Sequence, residues 1–115
     1  MVVKETTVKS GGIELNVFTL GNAEGKPVVL VHGLRDSAKS LFPVGAELAK
    51  KYLVLIPDLR GHGASPHFSS YQMPDFLGDL HETITSLTQG SCALFGHSLG
   101  GHIASRYSAL FPETI

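Results

Sequence analysis

The sequence predicts an α/β fold: a mostly parallel sheet with an N-terminal β-hairpin and helices on both faces. Three observations predict it. Residues 27–31, 52–56 and 92–95 are short, continuously apolar runs, the pattern of strands buried on both sides. Segments with apolar residues at helical spacing follow each run. That alternation of strand and helix calls for crossover connections, which join parallel strands.

The elements follow in order. Residues 6–10 and 13–20 are rich in Thr, Val, Ile and Phe, and Gly11-Gly12 between them predicts a hairpin turn. In its second strand Ile13, Leu15, Val17 and Thr19 alternate with Glu14, Asn16 and Phe18, the pattern of a strand with one face buried. Residues 43–51 read as a helix with Pro43 in its first turn and Lys50-Lys51 at its negative end. Pro57 stops the second apolar run, and residues 58–71 hold Gly61, Gly63, Pro66 and several serines, so they read as loop. Pro74 and Asp75 open the second helix. Phe76, Leu77, Leu80, Ile84 and Leu87 give it one apolar stripe, and Gln89-Gly90 ends it. The third helix spans residues 99–111, with Ile103, Tyr107, Leu110 and Phe111 along one side and Pro112 beyond.

The 115 residues suffice for one domain, 1–115, and not for two. Nine basic residues against ten acidic ones leave a formal charge of −1, with no long run of like charge. This balance excludes electrostatic capture of nucleic acid or of an anionic membrane. No apolar signal or membrane-spanning stretch is present, so a cytoplasmic protein is expected. Cys92, the lone cysteine, sits in an apolar run and is expected to be a small core residue. The histidines lack metal-ligand spacing, and Gly61-His62-Gly63 lacks the third glycine of a dinucleotide fingerprint, so neither metal nor cofactor is expected.

In open sheets of this kind ligands bind beyond the carboxyl ends of the strands. Three loops leave those ends: residues 32–39, 58–71 and 96–100. The last is Gly96-His97-Ser98-Leu99-Gly100. Gly-x-Ser-x-Gly is weak alone in a chain with 13 glycines, but here an apolar strand precedes it and an amphipathic helix follows. Such a turn forces its serine into a strained backbone conformation, and Gly96 and Gly100 remove side chains that would collide across it. The helix N-terminus then favours negative charge developing near Ser98 Oγ.

Together with Val29-Leu30-Val31-His32-Gly33 and the run from Ile56 to Ser65, Ile-Pro-Asp-Leu-Arg-Gly-His-Gly-Ala-Ser, the elbow and Gly101 make the chain resemble the α/β-hydrolase family. The three motifs stand in the family's order, and the resemblance covers essentially the whole chain. It implies that Ser98 is the nucleophile, in an esterase-like, acyl-enzyme mechanism on a small-molecule ester or a related acyl or carbon–carbon bond. The Leu99 N–H would be one oxyanion donor and the Leu34 N–H the second, leaving both leucine side chains free to line an acyl pocket. His32 and His62 belong to family motifs, where the side chain braces loops.

The remaining histidines do not supply a base. His97 adjoins Ser98, and neighbours on a sharp turn point apart; His81 and His102 read as surface or packing residues, and His67, in the loop near the expected site, as an exposed loop residue with a substrate contact as the alternative. Asp58 and Arg60 are expected to hold the Gly-rich loop, since the family's acid follows the nucleophile in the order Ser, Asp/Glu, His. Arg35 and Asp36 are expected to face solvent. The resemblance therefore implies an N-terminal portion of the fold, with the acid and base having no matching position in these 115 residues and the strand around Leu94 left as an open edge. Alternatives are a non-catalytic binding module, or lyase or cofactor-free peroxidase chemistry on the same elbow. Dehalogenases and epoxide hydrolases of the family generally carry Asp there, and Ser98 argues against them.

Overall fold

In the computed structural model, which describes residues 2–115, five strands form one sheet in the order β1-β2-β4-β3-β5. Strands β1 (Val3–Ser10) and β2 (Ile13–Gly21) are the hairpin, paired from Ser10↔Ile13 to Val3↔Leu20, with Gly11 at φ 58° making the turn. Strand β2 runs antiparallel to β4 (Leu53–Pro57); β3 (Pro27–Val31) pairs in parallel with β4 and with β5 (Ala93–Gly96). The sheet is therefore mixed in its ladders, although only β2 opposes the direction of the other strands.

Alternation along the central strands explains the layers. Val29, Val31 and Leu55 face one side and pack with Phe76, Leu80 and Ile84 of α2 (Met73–Leu87) and with Ile103 and Tyr107 of α3 (Leu99–Leu110). Val28, Leu30, Val54 and Ile56 face the other side, where Ala38 and Leu41 of a 3-10 turn and Phe42 and Leu48 of α1 (Phe42–Leu48) cover them. Helices on both faces follow because both parities of each strand are apolar.

Three details differ from expectation. Strand β2 is buried on both faces, with Val17, Phe18 and Leu20 all in the core, because it lies inside the sheet between β1 and β4. Helix α1 stops at Leu48, so Lys50 and Lys51 lie past its end, where Lys50 pairs with Glu47 on the surface. Leu110 is 60% exposed and leaves the buried stripe of α3 to Ile103 and Tyr107. Strand β5, by contrast, is the expected open edge: it pairs with β3 alone, and its Phe95 is exposed.

Cys92 is buried, and desolvation pushes its thiol up to about 11. Almost no thiolate exists at pH 8, so we expect Ellman's reagent to leave native Cys92 unmodified and to titrate it only after denaturation. Rapid reaction of the native protein would contradict this placement. No helix among the described residues is long and apolar enough to cross a membrane.

Candidate active site

His97 and Ser98 join β5 to α3, and Ser98 immediately precedes the helix at φ 58° and ψ −118°. Among the described residues only Arg35 (φ 63°) and Ser98 (φ 58°) are non-glycines with positive φ. A serine held there is strained by order 1–3 kcal/mol and persists only where its surroundings over-determine it. Those surroundings are backbone. The His97 N–H donates to the Val31 carbonyl at 3.0 Å, and the Ser98 carbonyl accepts from Gly101 N–H at 2.8 Å and His102 N–H at 3.1 Å. A methyl group on Gly96 would overlap the Gly100 carbonyl, and one on Gly100 would overlap the Val31 carbonyl. Only glycine at both places lets α3 start this close to the end of β3.

The loop after β3 lies against this elbow. A Cβ on Gly33 would stand 3.3 Å from Ser98 Cβ, so the two backbones meet there. The Leu34 and Leu99 N–H groups have no protein hydrogen-bond partner among the described residues. The Leu99 N–H opens a twelve-residue helix, where the aligned peptide dipoles favour negative charge.

The histidines have other work. His32 is fully buried; its Nδ1–H donates to the Gly33 carbonyl at 2.7 Å and its Nε2 accepts from the Leu59 N–H at 3.0 Å. That pair of bonds requires the neutral ring, and burial accordingly lowers its pKa. His32 thus ties the loop after β3 to the start of the 58–71 loop. His62 donates from Nδ1 to the Arg60 carbonyl at 2.9 Å. His81 stacks on Phe111 with ring centroids 4.1 Å apart and shares a hydrogen bond with Tyr107 Oη. His97 and His102 are exposed, and no imidazole or carboxylate among the described residues hydrogen-bonds Ser98 Oγ.

Asp58 and Arg60 organise the 58–71 loop, through different partners. The buried Asp58 carboxylate accepts from the Ala38 N–H at 2.8 Å, the Ala64 N–H at 3.1 Å and the Asn16 amide at 3.1 Å. Gly63, at φ 51°, lies so close to that carboxylate that a Cβ would stand 2.6 Å from Oδ2. Arg60 reaches α2 instead. Its Nε and Nη2 donate to Asp79 at 2.7 and 2.8 Å, and its Nη1 donates to the Ser70 carbonyl at 3.0 Å. Asp79 also accepts from Ser10 Oγ at 2.6 Å. The hydrogen bonds that Arg60 donates to Asp79 favour the charged guanidinium and raise its pKa further. Asp79 carried a legible signal that the apolar stripe concealed. It sits among the buried face of α2 with Phe76, Leu80 and Thr83, and a carboxylate there requires a cation. Arg35 and Asp36 are exposed as expected.

A cleft of about 420 Å³ opens beside the elbow. The side chains of Leu34 and Leu99 line it, as do Gly61, His62, His67, Tyr71 and Phe76. Tyr71 and Phe76 carried no motif, since one is a loop residue and the other part of a helical stripe. His67 is exposed, as expected, and also borders the cleft, where it shares a hydrogen bond with Tyr71 Oη at 3.2 Å.

Comparison with known proteins agrees with this architecture. A family profile described as "alpha/beta hydrolase fold" matches residues 26–115. A serine hydrolase-like protein of Danio rerio is 30% identical over 105 residues, which is 89% of this chain and 32% of that protein. An sn-1-specific diacylglycerol lipase of Xenopus tropicalis is 35% identical over 97 residues, 83% of this chain and 30% of the relative. The chain therefore spans about a third of the length of these relatives. Among solved structures, a thioesterase domain from the curacin biosynthetic pathway superposes with a TM-score of 0.94 at 29% identity, covering 100% of this chain and 42% of that one. An epoxide hydrolase of Vigna radiata gives 0.91 at 29% identity, covering 98% and 38%. With the profile spanning most of its length and the elbow, the mixed sheet and the two helical layers all in place, the chain belongs to the α/β-hydrolase fold family.

Proposed function

We propose that the chain carries the nucleophile and oxyanion site of a serine hydrolase that cleaves carboxylic esters or thioesters. The observation that carries this reading is the strained Ser98, φ 58°, between two N–H groups without partners, those of Leu34 and Leu99. Ser98 Oγ attacks the carbonyl carbon and its proton passes to a base. The carbonyl oxygen becomes an oxyanion accepting from both N–H groups, each typically contributing about 3–4 kcal/mol to the transition state. Collapse expels the alcohol or thiol with a proton, and water then releases the acid from acyl-Ser98. None of the six imidazoles within the chain suits the role of base, so the base and its orienting acid come from outside these 115 residues. The likeness to a thioesterase domain and to a diacylglycerol lipase supports ester-type substrates.

The alternative is a binding module that keeps the fold without turnover. A fluorophosphonate probe separates the two. It should be applied to the polypeptide expressed from its own coding sequence through to the stop codon, with peptide mapping of the product. We expect phosphonylation of Ser98, abolished in Ser98→Ala. A folded protein left unlabelled at Ser98 would refute the hydrolase reading and leave the binding one.

A further inference from the structure

We propose that Tyr71 is a specificity-determining residue, a rigid wall that limits the length of an apolar acyl group in the cleft beside Leu34 and Leu99. The inference rests on reading that cleft as the acyl site. Tyr71 is 42% exposed, yet the hydroxyl end of its ring is held from several sides. Its Oη accepts from the Phe68 N–H at 3.0 Å and shares a hydrogen bond with His67 Nδ1 at 3.2 Å. The ring lies on Gly61, where a Cβ would stand 2.6 Å from Oη and 2.7 Å from Cε1, and it tilts against Phe76 at 6.4 Å between centroids. Gly61 itself is pinned at φ 74° by its N–H bond to the Pro66 carbonyl at 2.8 Å.

The neighbouring residue is tied down as well. The Ser70 carbonyl accepts from Arg60, and Ser70 Oγ donates to Asp75 at the start of α2. A loop residue with this many restraints presents a fixed surface, and fixed apolar walls discriminate by size. Besides Tyr71 and Gly61, the cleft is lined by Leu34, Leu99 and Phe76 and bordered by the imidazoles of His62 and His67, a mostly apolar surface that suits a hydrocarbon chain. An acyl carbonyl, or the carboxylate left after hydrolysis, would accept from the Leu34 and Leu99 N–H groups while its chain runs toward Tyr71.

Binding of straight-chain carboxylates from propionate to decanoate tests this without requiring any chemistry at Ser98. Amide shifts of Leu34 and Leu99 report occupancy of the donors, and titration gives Kd for each length. We expect wild-type Kd to fall by about fourfold per methylene while the chain meets apolar wall, then to level off. In Tyr71→Ala the fall should continue for at least two further methylenes, so the longest carboxylate gains more than about tenfold over wild type. Tyr71→Phe keeps the ring and should keep the limit. Gly61→Ala, which displaces the ring without removing it, should shift the limit as Tyr71→Ala does. An unchanged length profile in Tyr71→Ala, or carboxylates that leave both amides unmoved, would overturn the proposal. Fluorophosphonate labelling of the same preparation reports separately on the nucleophile. A Tyr71-dependent length limit with unlabelled Ser98 defeats only the reaction, and labelled Ser98 with no Tyr71 effect defeats only this assignment.

Discussion

Asp79→Ala is expected to cost about 3–5 kcal/mol of stability, the largest loss for any single truncation outside the apolar core. The side chains of Arg60 and Asp79 are only 7% and 5% exposed, so solvent cannot replace the missing partner. The guanidinium would keep the Ser70 carbonyl at 3.0 Å and a distant Asp75 carboxylate at 4.0 Å. Ser10 Oγ would lose its acceptor too. Removing a buried charge's partner leaves the desolvation penalty uncompensated, whereas replacing both ions by apolar groups of similar volume removes it. The double variant Arg60→Met, Asp79→Leu should therefore recover most of the loss. Urea denaturation of the two single variants and the double closes the cycle. A loss below about 1 kcal/mol for Asp79→Ala would show that the pair behaves as a solvated surface bridge.

Gly100→Ala is expected to disable the elbow, while Gly101→Ala leaves it working. A Cβ at Gly100 would overlap the Val31 carbonyl and stand 2.6 Å from the His32 carbonyl. Both obstacles are backbone and cannot rotate away, so α3 must retreat from β3. Overpacking of this kind costs typically about 1–3 kcal/mol. The effect on chemistry is of similar size, because a shift near 1 Å in reacting groups costs about a hundredfold, or about 2.7 kcal/mol. A Cβ at Gly101 would find its nearest neighbour, the Gly96 carbonyl, at 3.4 Å, an ordinary contact. Rates of fluorophosphonate labelling at Ser98 compare the two variants directly. Equal rates would mean that the close approach of α3 does not set the position of Ser98.

The sequence was most legible where chemistry and backbone geometry coincide. Gly96, Ser98 and Gly100 mark a turn that few other residues tolerate, and the structure has Ser98 at the positive φ that such a turn demands. Cys92 was legible as core from its apolar neighbours alone. The partners of Asp58 and Arg60 were not legible. Their loop-holding role concerns groups 6 to 42 residues away in the chain, including Asn16, Ala38, Ala64 and Asp79. No local pattern records such separations.

The alternation of apolar strands and amphipathic helices, and with it the elbow at a strand's end, is written in the order of residues alone. Both follow from side-chain periodicity and from glycine's freedom at tight turns, which are local properties. The surroundings of Ser98, by contrast, are set by the packing of segments distant in the chain. The β1-β2-β4-β3-β5 strand order sets β3 beside β5, so the 32–35 loop meets the elbow and leaves the Leu34 and Leu99 N–H groups without partners. The Arg60–Asp79 pair then anchors the 58–71 loop to α2, and Tyr71 borders the same cleft as the two leucines. These contacts depend on the strand order and on loop packing, and neither is encoded in the spacing of residues along the chain.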